Sequence, residues 1–534
     1  MDRVPEVSVI IPVFNGMPHI ERTIESLLGQ TIGFGRLQVL IVDDGSTDDT
    51  PAFIDRVAGM HPSLEVFHLP HSGNPAGPRN FALERVRGRF IFFLDADDYL
   101  SPDALQAMVD VADANGTDVV LARLLGLGGR GSPRSPYART YPRTDVFHCN
   151  AYWSLNPMKM FRTELVRSLG LRFPTDVPWG EDQPFMATAY LKGNGISILA
   201  DKDYVFWVFL ENRSNITTRV VSLAERMPVV DLMFGLVAAE VPEGPDRDRL
   251  MRRHFQVELA ISAFDAYRAE RDASLRSAAF ERFRAIARAH YNDGIEAALH
   301  PRSRILMRFV TQGDEASFAA YLDALEHEQS PEVLTEGGSV FQRLPGFRDP
   351  AAALPDGLFD IGPYLRASCR VEPVTAGSDG LGIEAACRMG ALTETVTSVS
   401  IVARQLSGTE EIVVPLSHRI VTDETQPYIM VRDTLAAGRL LAQLPTGTHR
   451  LFMRVSAGEV SRQVGVFECA LPPARPRVVR SWALPMRSGT LVTTPRGHLT
   501  IKVVVGTRVA LRGVACRAYG RLKAFGLGRA VVAR

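Results

Sequence analysis

Three short acidic clusters have the residue types and settings for chemistry. Asp43-Asp44 follows the apolar run Leu37–Val42, Asp95-Ala96-Asp97-Asp98 follows Phe90–Leu94, and Glu181-Asp182 precedes the apolar stretch Phe185–Leu191. Carboxylates clustered at the end of a buried apolar run are costly unless a cation compensates them. Mg²⁺ or Mn²⁺ suits such a set, because hard cations take oxygen ligands. A cation there could also hold a diphosphate and neutralise a leaving group. The competing account is capping, since Asp is favoured at helix N-termini. It competes about evenly for Asp43 and Asp98, and less well for Asp97. Taken alone, Glu181-Asp182 reads better as an acid pair opening a helix than as a reacting group.

The surrounding elements favour a site. Val7–Pro12, Leu37–Val42, Leu64–Leu69 and Phe90–Leu94 are apolar runs of strand length. Between them, Ile20–Leu28, Thr50–Val57 and Arg79–Val86 have helical spacing. This alternation predicts an α/β fold with a parallel sheet, and ligand sites in such sheets lie beyond the carboxyl ends of the strands. The acids at 43–44 and 95–98 fall at those ends.

Five motifs then occur in order: Val9-Ile-Ile-Pro-Val-Phe-Asn15, Ile41-Val-Asp-Asp-Gly-Ser-Thr-Asp48, Gly77-Pro-Arg-Asn80, Phe92-Phe-Leu-Asp-Ala-Asp-Asp98 and Glu181-Asp-Gln-Pro-Phe185. On these residues the chain resembles the inverting family 2 glycosyltransferases of GT-A (Rossmann-like) fold, from Val7 to about Val220. The resemblance implies a UDP-sugar donor. Pro12, Phe14 and Asn15 would line the nucleoside pocket, and Asp44 would accept from the base N–H, favouring uracil. Arg79 would reach the base or the diphosphate. Asp95 would contact the ribose or the metal, and Asp97 would ligate Mn²⁺ or Mg²⁺. Of Glu181 and Asp182, the second would be the catalytic base of a single displacement.

Within that family the chain resembles the poly(ribitol-phosphate) β-N-acetylglucosaminyltransferases that decorate wall teichoic acid. The residues are Gly129-Arg-Gly-Ser-Pro133, Asn156-Pro-Met-Lys-Met-Phe-Arg162, Ile196–Lys202 and Arg253-His-Phe255. This implies an anionic polymer or glycan acceptor, with Arg130 on the acceptor side, and a homo-oligomer, trimeric in that family. The stretch 119–144 has no acid and carries Arg123, Arg130, Arg134, Arg139 and Arg143, a composition able to track phosphates. One departure stands out. Where the family has a basic pair and a His for the donor phosphates, this chain has Val208-Phe-Leu-Glu-Asn-Arg213. Asp201, Asp203 or Glu211 could add a metal ligand there. His68 and His71 lie near the nucleotide motifs but read as structural.

The remainder divides into a helical extension over 221–345, a β-sandwich region over 355–470 and a basic segment over 474–534. From Cys469 to Arg534 there are thirteen basic residues and no acid, which allows peripheral contact with an anionic membrane as well as packing on the β region. Charge is balanced overall, 60 Lys and Arg against 60 Asp and Glu, so no global field points to nucleic acid. Five widely spaced cysteines suggest isolated thiols. No signal peptide precedes Val7 and no run approaches the roughly 20 apolar residues of a spanning helix, so the expected location is cytoplasmic. Two other readings stay open: a glycosyltransferase acting on exopolysaccharide, lipid-linked saccharide or another glycoconjugate, and an inactive GT-A scaffold that binds carbohydrate.

Overall fold

The computed structural model describes residues 4–129, 131–209, 220–328 and 331–365, and separate strand and turn segments between 368 and 505. Two compact units divide near residue 327.

The first unit holds the α/β fold. Its strands are β1 (Val7–Val13), β2 (Leu37–Asp43), β3 (Leu64–His68), β4 (Phe90–Phe93), β5 (Tyr99–Leu100), β6 (Val119–Ala122), β7 (Leu124–Leu127), β8 (Tyr141–Thr144), β9 (Met160–Arg162), β10 (Ile196–Leu199) and β11 (Val205–Val208). Eight form one sheet in the order β3-β2-β1-β4-β9-β6-β10-β8, and β5-β11-β7 form a second. Every residue of β1 and β2 is buried, as expected for parallel strands covered on both faces. The helices of this part are α1 (His19–Leu28), α2 (Thr50–Ala58), α3 (Ala76–Leu83), α4 (Ala104–Asn115), α5 (Thr163–Ser168) and α6 (Asp182–Lys192).

Strand order reverses at β1, which pairs in parallel with β2 on one side and β4 on the other. Register then decides what meets at the carboxyl edge. Val13 lies opposite Asp43 and Ile10 opposite Phe93, so Phe14, Asp44 and the 95–98 acids all emerge at one switch point. Pro12 is compatible with a central strand because the β1–β4 ladder ends at Ile10, two residues earlier.

Beneath this edge lies an aromatic cluster. Phe93 packs edge-on against Phe161, Phe173 and Phe185, with ring centroids 5.2–5.7 Å apart. Phe173 and Phe185 stack at 4.3 Å. Phe93 precedes Asp95 by two residues and Phe185 follows Asp182 by three, so one apolar floor carries both acids.

The helical extension follows. It comprises α7 (Leu223–Glu240), α8 (Pro245–His254), a π-helical stretch Phe255–Ala263, α9 (Phe264–Ala269), α10 (Ala273–His290), α11 (Asp293–Ala298), α12 (Pro301–Gln312) and α13 (Glu315–Glu326). Helix α7 opens with a capping box: Ser222 accepts from the Glu225 backbone while the Glu225 side chain accepts from Ser222. None of the helices among the described residues is long and apolar enough to cross a membrane.

The second unit is strand-rich. It has a hairpin (Val333–Glu336 with Ser339–Gln342), a five-stranded sheet and a seven-stranded sheet. Ala385, Cys387, Ile429 and Val431 of the smaller sheet share one core with Val399, Ile401, Met453 and Val455 of the larger, which is sandwich packing. Strands Arg477–Ser481, Arg487–Thr493 and Leu499–Val505, from the basic segment, join the larger sheet through Gly447–Ala457. The expected basic segment is thus continuous in its first part with the sandwich. Residues 506–534, including the rest of that segment, lie outside the described residues. Cys149 and Cys387 are buried and form no disulfide.

Candidate functional site

The loop after β1 and the loop after β2 build one wall together. Asn15 adopts a left-handed backbone (φ +48°), and its side-chain oxygen accepts from the Thr47 N–H at 2.8 Å. Its own N–H donates to Ser46 Oγ at 2.8 Å. Phe14 is exposed and stacks on His71, centroids 4.1 Å apart. Asp44 is buried, and its Oδ1 accepts from the N–H and Oγ of Ser72 at 3.0 and 2.8 Å. Its Oδ2 lies 3.0 Å from His71 Nδ1. Gly45 must be glycine: its φ is +77°, and a Cβ there would come within 2.8 Å of the His71 nitrogen. This wall joins Phe14, Asn15 and Asp44 to His71 and Ser72, beside the buried Pro12.

Asp43 turns away from the wall. Its carboxylate accepts from Ser46 N and pairs with His68 Nδ1 at 2.9 Å, and this bond raises the His68 pKa above its ordinary value. Asp98 is likewise inward, its Oδ1 accepting from the Val208 N–H at 2.8 Å. It ties β11 to the end of β4 and does not cap a helix.

The acids expected to act come together around Arg79. From α3, the buried guanidinium donates to Asp95 Oδ1 and to Glu181 Oε1, both at 2.8 Å. Its face lies 5.2 Å from the Phe173 ring centroid. Burial opposes its charge, but Asp95, Glu181 and Asp182 outweigh that and hold its pKa above the usual arginine range. Arg79 is therefore a structural counter-ion for the acidic cluster as well as a candidate donor contact.

Asp182 opens α6 inside this cluster. Burial, then the like charges of Glu181 and Asp95, push its pKa up to about 7, against the opposing pull of Arg79 and Lys159. Lys159, at the edge of β9, is fully buried and donates to Asn156 Oδ1 at 3.0 Å. Burial lowers its pKa to about 7, with Asp182 pulling the other way. A carboxylate poised near neutrality, in reach of solvent, has the properties of a general base.

Asp95 and Asp97 stand at the mouth, both half-buried. Among the described residues, no group of three or more His, Cys, Asp or Glu side chains could hold a metal by itself. Two carboxylates still fit Mg²⁺ or Mn²⁺, because such ions are commonly held by one or two carboxylates plus substrate phosphates.

Other expected residues do not converge. Asp201 accepts from Tyr204 OH and Asp203 pairs with Arg123 at 2.6 Å, so both are engaged away from the mouth. Arg123 also donates to the Ala200 carbonyl. Arg143 is spent on the carbonyls of Asn115 and Gly116. These two arginines therefore brace loops and do not form a phosphate track. Arg139 covers Tyr141, and Arg134 is exposed. Arg130, Glu211 and Arg213 lie outside the described residues. His71, expected to be structural, stacks on Phe14, while Ser72 bonds to Asp44 and Lys159 lies beside Asp182 although neither was singled out by residue type. The available signal was Lys159, a lone charge in the apolar run Met158–Phe161.

Known proteins resemble this chain in sequence and fold. Residues 8–172 match the family described as glycosyl transferase family 2, and residues 227–322 match the glycosyl transferase TarS linker domain. The chain is 34% identical over 204 residues to the poly(ribitol-phosphate) beta-glucosyltransferase of Bacillus spizizenii, covering 38% of this chain and 32% of that protein. It is 35% identical over 200 residues to the poly(ribitol-phosphate) beta-N-acetylglucosaminyltransferase TarS of Staphylococcus aureus, covering 37% and 35%. The chain thus spans about a third of the length of either relative. Among solved structures, S. aureus TarS 1–349 in complex with UDP-GlcNAc superposes with a TM-score of 0.56 at 25% identity, covering 64% of this chain and 97% of that one.

Proposed function

Since this chain belongs to the family 2 glycosyltransferases of TarS-like type, we propose that it transfers a sugar, with inversion, from a UDP-sugar to a hydroxyl of a polyol-phosphate polymer of the wall teichoic acid type. N-acetylglucosamine is the first candidate sugar and glucose the second, following the donors that the names of the relatives imply. The observation that carries the reading is Asp182, held near neutrality beside the Arg79–Glu181–Asp95 cluster.

The placement of the side chains supports the following roles. Phe14 and the Asp44–Ser72–His71 group receive the uracil, with Asp44 facing the base N–H. Arg79 keeps Asp95 and Glu181 oriented, and Asp95 meets the ribose or the cation. Mn²⁺ or Mg²⁺ on Asp97 and Asp95 would neutralise charge on the diphosphate. Asp182 takes the proton of the acceptor hydroxyl while that oxygen bonds to the anomeric carbon. The carbon–oxygen bond to UDP breaks, and UDP departs with the electron pair. One displacement inverts the anomeric centre and needs no enzyme nucleophile. Arg130 is assigned to the acceptor side.

The test is UDP release by the purified chain with UDP-GlcNAc or UDP-glucose, with and without poly(ribitol-phosphate). Release that depends on the polymer supports the proposal. Release that depends instead on a lipid-linked saccharide or exopolysaccharide would replace the acceptor, and no nucleotide binding at all would leave a carbohydrate-binding scaffold.

A further inference from the structure

The helical extension reaches the helix that carries Asp182 through a buried ionic network. Helix α8 ends on Arg253 and His254, and the π-helical stretch begins at Phe255. In a π-helix the backbone bonds run from i to i+5, so residues five apart share a face. Glu258 lies five residues after Arg253 and four after His254. One of its oxygens accepts from Arg253 Nη1 at 2.7 Å and the other from His254 Nδ1 at 2.8 Å. A regular α-helix of 3.6 residues per turn would turn residues 253 and 258 apart. The local π geometry is what lets one carboxylate hold both.

The network continues outward at both ends. Arg253 Nη1 also reaches Gln183 Oε1 at 3.4 Å, and Gln183 directly follows Asp182. Burial keeps His254 neutral by lowering its pKa. With Nδ1 donating to Glu258, its Nε2 accepts from Tyr152 OH at 2.9 Å. All five side chains are buried. From the same helix, Arg249 donates to the Cys149 carbonyl at 3.0 Å, and the Arg252 guanidinium lies 5.5 Å from the Trp153 ring centroid. The extension therefore grips both the first turn of α6 and the 149–153 segment that leads to Lys159.

We propose that Arg253 and Glu258 are positioning residues for sugar transfer, fixing the first turn of α6 so that Asp182 stays aimed at the acceptor hydroxyl. This rests on the reading of Asp182 as the base. A buried ion pair is weak support for stability, because an apolar pair of similar volume is often as stable. Holding one geometry is the more consistent use for it, and a displacement of about 1 Å at a reacting group can cost about 100-fold in rate.

The test uses the full chain with Arg253→Met and Glu258→Leu together, which removes both buried charges at once. The expected result is a folded protein with an unchanged melting temperature, UDP affinity and donor KM within about twofold of the parent, and kcat lowered about 10- to 100-fold. A folded double variant with parental kcat overturns the proposal. Should the double variant not fold, Gln183→Met decides: it cuts only the link to α6, so a fall in kcat at constant donor KM supports the proposal and parental kcat overturns it. Asp182→Asn runs alongside. Near-normal turnover in that variant would remove the base reading itself, and with it this inference.

Discussion

Arg79 and Asp95 meet at 2.8 Å across the switch point, joining helix α3 to the end of β4. The same guanidinium holds Glu181, 102 residues further along the chain. One buried cation thus fixes the spacing between the end of β4 and the start of α6. Removing it would leave two partly buried carboxylates uncompensated. Arg79→Met is expected to lower the unfolding free energy by on the order of 3 kcal/mol, read from the urea midpoint. Arg79→Lys has a single point charge where two directed donors stood, and should recover only part of that loss.

Asp182→Asn keeps the shape of the proposed base but not its proton affinity. Transfer should fall about 10²- to 10⁴-fold, while UDP affinity by calorimetry stays close to the parent. Parental turnover would mean that another group accepts the proton.

The pH dependence has a defined sign. With the Asp182 pKa near 7, activity should climb as pH rises toward 7 and then level, because only the carboxylate can take a proton. Stability moves differently. From about pH 4 to 7 the folded state holds a proton on Asp182 that the unfolded chain has released, so this group makes stability decline with rising pH. Lys159, lowered to about 7, acts oppositely: above pH 7 the unfolded chain holds the extra proton, and stability rises with pH. Urea unfolding of Lys159→Met between pH 7 and 10 should lack that rise.

Removal of divalent cations by a chelator should abolish transfer, with recovery on adding Mn²⁺ or Mg²⁺. Asp97→Asn should raise the cation concentration needed for half-maximal rate about tenfold or more. An unchanged requirement in that variant would move the cation to other ligands.

Gly45→Ala probes the nucleoside wall. The backbone there is left-handed, and the new Cβ would lie 2.8 Å from the His71 nitrogen, which leaves no room for a methyl group. UDP binding should weaken about tenfold or more, for a strain on the order of 1–3 kcal/mol, with turnover at saturating donor less affected.

Much of the catalytic fold could be read in the sequence because its cues are local. Apolar runs of strand length, helices between them and acids at the strand ends all lie within a few residues of what they define. The resemblance then supplied roles for Phe14, Asn15 and Asp44, and these side chains do form one wall with each other. Contacts between distant segments could not be read in this way. Nothing near Arg79 in the chain shows that it will meet Glu181. The arginines of 119–144 looked like one phosphate track, yet Arg123 and Arg143 are consumed by Asp203 and by backbone carbonyls. Asp98 suited a helix cap and the acidic site about equally, and instead ties β11. The π-turn at 255–263 leaves the helical spacing of apolar residues nearly unchanged, so Glu258 gave no sign of its two partners.

The aromatic cluster of Phe93, Phe161, Phe173 and Phe185 carries Asp95 and Asp182 on one rigid floor, whereas Phe14, His71 and Ser72 stand on loops at the rim. The two layers can therefore change independently in evolution. Substitutions at the rim can alter that wall while the geometry around Asp182 is inherited intact. A substitution in the floor disturbs the setting of both Asp95 and Asp182 at once, so the floor should tolerate far less variation than the wall above it.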